Sequence, residues 1–382
     1  MSRQHIVNSS PDKFIFVGMK EMRIGDLCTY APKSSIKAGD AVLDGKYIFF
    51  TSSADEGKRF NEYQLDCEGI IMGTGGNATL HYYSGKFAVS TDCIVLLPRN
   101  DIRCKYLYYF FLANFAVLEN GFKGAGLKHT NKKYIDSIEL TTIPNLQNQD
   151  KVLEVLDKVS GVISFRQQQL QKLDDLVKAR FVEMFGNISY PTERFSKFIE
   201  SLTSGSRGWA KYCVDDGSEW FITIKNVKNC CISTNNMQPI NAPRNAEAIR
   251  TKVREGDLLI SITADLGRTG VVSKEIAEHG AYINQHLTCI RVDRKIINPL
   301  FVAYYLDSPA GKMQFEAKNQ SAVKAGLNFE AINSLMIKVP PIELQNEFET
   351  FVEQVDKSRF VVQQALDKAQ LLFDSLMQQY FG

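Results

Sequence analysis

Apolar residues recur in alternating steps of four and three between Leu146 and Gly186: Val152, Leu156, Val159, Ile163, Leu170, Leu173, Val177 and Met184, with Arg166 and Arg180 breaking the series. That spacing keeps one face apolar over every turn, which predicts a helix packed lengthwise on another helix. At 1.5 Å per residue, some forty residues make a rod of roughly 60 Å. The pattern returns at Phe348, Val352, Val355, Val362, Leu366, Ala369, Phe373, Leu376 and Tyr380, with Arg359 as the polar break. Leu146-Gln147-Asn148-Gln149 and Leu344-Gln345-Asn346-Glu347 begin the rods, after Pro144 and after Pro340 and Pro341. Phe185-Gly186 and Phe381-Gly382 end them, glycine being able to take the left-handed cap. Two seams of this length in one chain pair with each other, and the chain is an internal repeat.

Around the rods the pattern changes to short strands. Lys46–Thr51, Gly69–Met72 and Lys86–Val89 read as strands, and Tyr82-Tyr83-Ser84-Gly85-Lys86 as a hairpin turn. A helix follows over Lys105–Leu112, and then a polar loop from Gly124 to Lys133. After the first rod the order repeats. Glu255–Ile262 mirrors Glu68–Met72, Phe301–Leu306 mirrors Leu107–Leu112, and Ala322–Asn328 takes the slot of Gly126–Asn131. The expected organisation is α+β: a leader over 1–20, a first globular domain over 21–143, a central helix over 144–187, a second globular domain over 188–340 and a C-terminal helix over 341–382. Outside the matching anchors the two domains diverge, as two sites of one kind reading different things would.

Composition narrows the classes. Of 382 residues, 44% are hydrophobic and 11% aromatic, enough for ordinary globular cores. No run has the length of a membrane span, and Phe14-Ile15-Phe16-Val17 is too short and late for a signal peptide, so a soluble cytoplasmic protein is expected. The eight cysteines form no Cys-x-x-Cys pair and the five histidines do not cluster near them, which argues for reduced thiols and against zinc. The formal charge is only +2, so any binding of a polyanion rests on local patches or is shared with a partner.

Sequences that imitate catalytic motifs fail on context. Met72-Gly73-Thr74-Gly75-Gly76-Asn77-Ala78 has dinucleotide-fingerprint spacing, but the fingerprint needs a helix directly after it, and Leu80-His81-Tyr82-Tyr83 reads as a hairpin. The glycines instead let another backbone come close. Asn298-Pro299-Leu300-Phe301 is half of a base-methyltransferase loop and reads as a helix start. Glu316-Ala317-Lys318 behind Asp307 falls in helix rather than on a nuclease strand. No catalytic residue, metal or cofactor is therefore assigned.

What remains is suited to binding. In the first domain the candidates are Lys58, Arg59, Thr74, Asn77, Tyr82, Lys128, His129, Asn131 and Lys132. In the second they are Ser206, Arg207, Trp209, Lys211, Arg268, Asn284, Gln285, His286 and Lys324. Lys and Arg hold phosphates, while Arg, Asn and Gln make the bidentate bonds that distinguish bases. From residues alone, a two-headed coiled-coil adaptor for protein or carbohydrate stands beside a DNA reader.

The duplicated order, with Lys46–Thr51, Lys86-Phe87, Leu127–Pro144, Tyr282–Leu287, Ser308–Gly311 and both Leu-Gln-Asn helix starts, resembles the specificity subunit of type I restriction-modification systems. The resemblance spans residues 20 to 382. It implies two target-recognition domains separated by two long antiparallel coiled-coil helices, with the halves related by a pseudo-two-fold. Each domain would read one half of a bipartite, asymmetric double-stranded DNA site, and the rods would set the unread spacer. The resemblance also implies two partner methyltransferase subunits that carry S-adenosylmethionine, and restriction/translocase subunits. On this reading Leu173→Asp or Leu366→Asp places an unpaired charge in the seam and prevents assembly with the methyltransferase subunits, which co-purification measures directly; normal assembly of either variant would refute the seam.

Overall fold

The computed structural model describes residues 22–124, 126, 128–140, 143–186, 188–319 and 326–382. The expected leader over 1–20 and Lys324 lie outside the described residues. The chain divides into two compact units, one holding residues up to 165 together with 365–382, the other 166–364.

In the first unit a six-stranded sheet runs in the order Cys28–Tyr30, Cys93–Pro98, Leu65–Gly73, Leu80–Val89, Tyr47–Phe50 and Arg59–Phe60. Its pairs are antiparallel except Tyr47–Phe50 with Leu80–Val89, where Ile48 lies opposite Phe87 in parallel register. Alternation along Leu65–Gly73 sends Ile70 and Met72 to the helix Cys104–Ala113 and Ile71 to the other face, with Phe50, Phe87 and Val95. The hairpin turn expected at Tyr82–Lys86 is corrected. Those residues lie inside the strand Leu80–Val89, where Gly85, at φ 129°, is paired with Cys67. The reversal comes earlier, in the loop after Gly73, because the unbroken ladder from Leu65 opposite Phe87 to Met72 opposite Leu80 carries the strand through the glycine.

The second unit has a six-stranded sheet in the order Ile199–Ser204, Leu287–Val292, Leu258–Ser261, Thr269–Val271, Cys230–Ile232 and Val227–Lys228. A separate three-stranded sheet joins Gln238–Ile240, Glu219–Ile222 and Ala281–Ile283. The helix Pro299–Asp307 packs on the six-stranded sheet, as Cys104–Ala113 does in the first unit. Asn298 caps it by accepting from the Leu300 and Phe301 amides, with Pro299 in the first turn, so that sequence is a helix start.

The rods are helices of 40 residues each, Leu146–Phe185 and Ile342–Phe381. In the first unit Val152 and Leu156 share a core with Met377 and Phe381; in the second, Val177, Phe181 and Phe185 share one with Phe348, Val352 and Val355. The start of each rod thus lies against the end of the other, and the pair is antiparallel. Mid-rod seam residues such as Val159, Ile163, Leu170 and Leu366 are only half-buried, since two helices alone cover them. The rod ends are sealed by the domain helices, with Tyr106 and Phe381 ring centroids 5.0 Å apart and Phe185 and Phe301 4.8 Å apart.

One buried glutamine fastens each rod start. The Gln149 carboxamide oxygen accepts from the Arg103 amide at 2.8 Å, and its nitrogen donates to the Pro144 carbonyl at 2.8 Å. Gln345 accepts from the Asn298 amide at 2.8 Å and donates to the Pro340 carbonyl at 2.8 Å. Neither glutamine has exposed surface. Gln149, not Gln147 of the Leu-Gln-Asn motif, is therefore the counterpart of Gln345; Gln147 is exposed. Removing a partner from buried backbone groups costs about 1–3 kcal/mol. Gln149→Leu and Gln345→Leu are each expected to lower the melting temperature by several degrees in differential scanning calorimetry, while Gln147→Leu leaves it unchanged.

Candidate nucleic-acid interface

In each unit a loop at the end of a central strand is zipped to the loop ahead of a short helix. In the first unit Gly75 forms an antiparallel bridge with His129, the Gly76 amide donates to the Lys128 carbonyl at 2.9 Å, and the Thr130 amide donates to the Thr74 carbonyl at 3.1 Å. Thr74 also donates through Oγ1 to the Asp92 carbonyl at 3.0 Å. A Cβ on Gly73 would meet Thr79 Oγ1 at 2.4 Å and Ser52 Cα at 2.9 Å, so glycine is required there for close approach. A cleft of about 750 Å³ opens between this loop and Ser52–Ala54, with His129 and Asp92 on its wall.

The second unit repeats the frame with other residues. Thr263 bridges Gly326, the Leu327 amide donates to the Ile262 carbonyl at 2.9 Å, and the Ile262 amide donates to the His286 carbonyl at 3.0 Å. The loop at Ser204–Gly208 lies against the turn Asn284–His286: the Ser206 amide donates to Ile283 O at 3.0 Å, and a Cβ on Gly205 would sit 1.9 Å from Asn284 O. A cleft of about 680 Å³ results, walled by Ser204, Arg207, Glu247, Gln285, Asn328 and Glu330. Asn131 and Asn328 occupy matching places as helix caps, accepting from Tyr134 and Ala331 amides at 3.0 and 2.7 Å.

The candidates separate into an exposed set and a supporting set. Asn77, Lys128, His129, Lys132, Arg207 and Lys211 are exposed. No carboxylate lies within ion-pairing distance of Lys128, Lys132, Arg207 or Lys211 among the described residues. Lys132 lies over the Tyr30 ring at 4.4 Å and Lys211 over Tyr212 at 4.9 Å. Lys58 is half-buried and donates to Thr51 Oγ1 at 3.1 Å, and Arg59 is in the edge strand. Gln285 and His286 stand half-exposed at the tip of their turn.

Two expectations of direct contact are corrected, and two further candidates are engaged within the protein. Ser206 is fully buried against Thr251, and Trp209 is 3% exposed, its indole nitrogen donating to Glu247 at 3.1 Å and its ring stacked on Phe221. Tyr82 faces the domain helix, where its hydroxyl donates to Glu68 at 2.6 Å; burial and that carboxylate push its ionisation well above the usual range. Arg268 is tied to Asp265 across its own loop. Asn284 and Asn131 likewise spend their side-chain oxygens locally, on the His286 and Tyr134 amides. Sequence reading missed Ser52, Asp92 and Glu330, because what brings them to the clefts is a zipper between distant loops, which has no local signal.

All eight cysteines are free. Burial pushes the Cys93 and Cys231 thiols up to about 11, which keeps them protonated and unreactive near neutrality. Among the described residues, no helix is long and apolar enough to cross a membrane.

Two frames of one design, presenting different unpaired cations and amides on rigid sheets joined to long helices, define a two-site recognition protein for a polyanion with readable edges. Sequence comparison agrees. The profile of the type I restriction modification DNA specificity domain matches residues 17–175 and 226–368. The chain belongs to that family. It is 20% identical over 381 residues to the type I restriction enzyme EcoBI specificity subunit of Escherichia coli, covering 91% of this chain and 78% of that protein. A second relative, the EcoDI specificity subunit of Escherichia coli, is 24% identical over 163 residues, 42% of this chain and 36% of that one. The fold matches the crystal structure of the type I restriction-modification S subunit from M. genitalium with a TM-score of 0.63 at 13% identity, over 97% of this chain and 98% of the other. The chain is thus a non-catalytic DNA-specificity subunit with two target-recognition domains, and the adaptor alternative is not favoured.

Each phosphate contact adds roughly 0.9 to the slope of log affinity against log salt on B-DNA. Replacing Lys128 and Lys132 by alanine together is expected to lower that slope by about 2 for the assembled complex. Fluorescence anisotropy over a salt series measures it, and an unchanged slope would remove these lysines from the interface.

Proposed function

We propose that the cleft around Gly75 and His129 and the cleft around Arg207 and Gln285 each read one half of a bipartite double-stranded DNA site, chiefly in the major groove, where every base pair has its own donor and acceptor pattern. The repeated zipper carries this reading: Gly75–His129 in one domain and Thr263–Gly326 in the other hold loops of equal placement and different chemistry. Lys58, Arg59, Lys128, Lys132, Arg207 and Lys211 serve the phosphates, while Asn77, His129 and Gln285 serve base edges, with His286 bonded to Gln285 and Thr263. Thr74, Asn131, Ser206, Trp209, Arg268 and Asn284 hold the loops in shape.

The rods carry the partners. Val155, Val162, Leu371 and Leu372 in one unit, and Leu176, Val182, Phe360 and Val361 in the other, are large apolar residues left exposed on helices, as surfaces made to be covered by other subunits are. Two methyltransferase subunits dock there and supply S-adenosylmethionine, the site of action is the cytoplasm, and restriction subunits join the complex for cleavage.

Exchange of residues 21–143 for the first domain of another family member tests the assignment of one domain to one half-site. Sequencing of modified bases in genomic DNA is expected to show a new first half, an unchanged second half and an unchanged gap. Arg207→Ala is expected to weaken binding by about tenfold without altering the first half. A change in both halves, or in neither, would overturn the modular reading.

A further inference from the structure

We propose that Gln285 is a specificity-determining residue that selects an A·T base pair, and that His286 and Thr263 are the positioning residues that set its amide. This rests on the reading of the second cleft as a DNA half-site reader.

Gln285 stands at the tip of a turn whose backbone has little freedom. The Leu287 amide donates to Asn284 O at 3.1 Å, the His286 amide donates to Asn284 Oδ1 at 3.2 Å, and Asn284 itself is 9% exposed and bridged to Ser206. The side chain is also held. Gln285 Nε2 lies 3.0 Å from His286 Nε2, and His286 Nδ1 lies 2.6 Å from Thr263 Oγ1. An amide nitrogen only donates, so His286 Nε2 is the acceptor in the first contact. The ring proton is then on Nδ1, and it is donated to the threonine hydroxyl. With the amide nitrogen as donor, the tautomer protonated on Nδ1 satisfies both contacts, and the chain from Thr263 through His286 holds the Gln285 amide.

That chain uses one of the two Gln285 amide hydrogens. The other hydrogen and the carbonyl oxygen remain, one donor beside one acceptor. In the major groove this pair matches adenine, whose N7 accepts and whose N6 amino group donates, while guanine offers two acceptors on the same edge. The surroundings favour a base edge over a phosphate at this point of the cleft. Glu247 and Glu330 stand on its wall, and carboxylates repel phosphate, leaving Arg207 as the residue suited to the backbone. Holding the side chain in advance also removes an ordering cost from binding, which is where a fixed reader gains over a flexible one.

The test uses the complex of this chain with its methyltransferase subunits. Sequencing of modified bases first supplies the wild-type motif; the absence of any chain-dependent bipartite motif would overturn the underlying DNA reading instead of this one. Competition binding then uses duplexes in which each base pair of the motif is replaced in turn. Wild type is expected to prefer A·T about tenfold to a hundredfold at one position of one half, and Gln285→Leu to bring that preference to within about threefold while all other positions hold. Thr263→Val is expected to erode the same preference by about threefold or more with no change elsewhere, and Thr263→Ser to restore it, a pattern that general damage to the domain would not give. Should the leucine variant fail to assemble, Gln285→Glu decides: a carboxylate accepts from the cytosine amino group, so preference shifts from adenine to cytosine at that position. Full retention of adenine preference in Gln285→Leu or Gln285→Glu, or equal loss at every position in both halves, would overturn the assignment.

Discussion

The placement of both recognition sheets depends on two buried carboxamides. Apolar contact between a rod and a domain helix, as among Phe181, Phe185, Phe301 and Phe348, is strong but non-directional. A buried amide is directional, because each of its groups loses a full hydrogen bond if the helix slides. Gln149 is bonded both to the chain just ahead of its rod and to the amide of Arg103, ahead of the domain helix; Gln345 does the same with Pro340 and Asn298. The rod start and the domain helix are fixed as one piece in each unit, and the sheet that carries the reading loops follows the helix.

The second unit adds a polar joint inside the seam. Arg359, the break in the apolar pattern, pairs with Asp174 at 2.7 Å and with Asp356, and Asn229 donates to Asp174 at 3.1 Å. Burial pushes the Asp356 carboxyl above its ordinary range while the guanidinium pulls it back. Such a cluster contributes little net stability but tolerates only one register of the helices, a role polar seam residues are known to fill. Asn229 reaches it from a two-residue turn in which both Asn229 and Cys230 have positive φ, 49° and 61°. Asparagine accepts that conformation readily and cysteine does not, so the hairpin Val227–Ile232 is held in place by the packing of the fully buried Cys230 against the strain. The first unit ties its domain to the rod differently, through Asp157, which Lys105 and Tyr109 reach at 2.7 and 3.1 Å.

The rods were legible in the sequence because a helix seam is a local, periodic signal that no loop can interrupt without breaking it. Every seam position from Val152 to Tyr380 is buried or half-buried. The glutamine alignment was misread by two residues, since Leu-Gln-Asn repeats as letters at Leu146 and Leu344 while the packing repeats at Gln149 and Gln345. Glycine misled at Gly85, where a strand continues, and informed at Gly73, where backbones do approach closely. In the sites, charged residues in glycine-bearing loops were found by composition, but polar residues with structural duties look identical in sequence. Ser206 and Trp209 sit beside Arg207, and only burial separates the support from the presenting side chain.

That separation also explains how a chain with a formal charge of +2 can address a polyanion. Several cations away from the reading loops are neutralised where they stand: Arg103 by Asp150, Lys252 by Glu219, Arg291 by the buried Asp257, Arg294 by Glu349. Within the loops, Arg268 is consumed by Asp265, yet Lys128, Lys132, Arg207 and Lys211 keep their charge exposed. The field a ligand meets is set by these unpaired groups near the clefts, not by the sum over the chain, because paired charges a few ångströms apart cancel within a Debye length of roughly 8 to 10 Å. A small number of free cations attached to rigid loops gives weak general attraction and leaves discrimination to the amides between them. A subunit whose task is to choose a sequence is served by that balance.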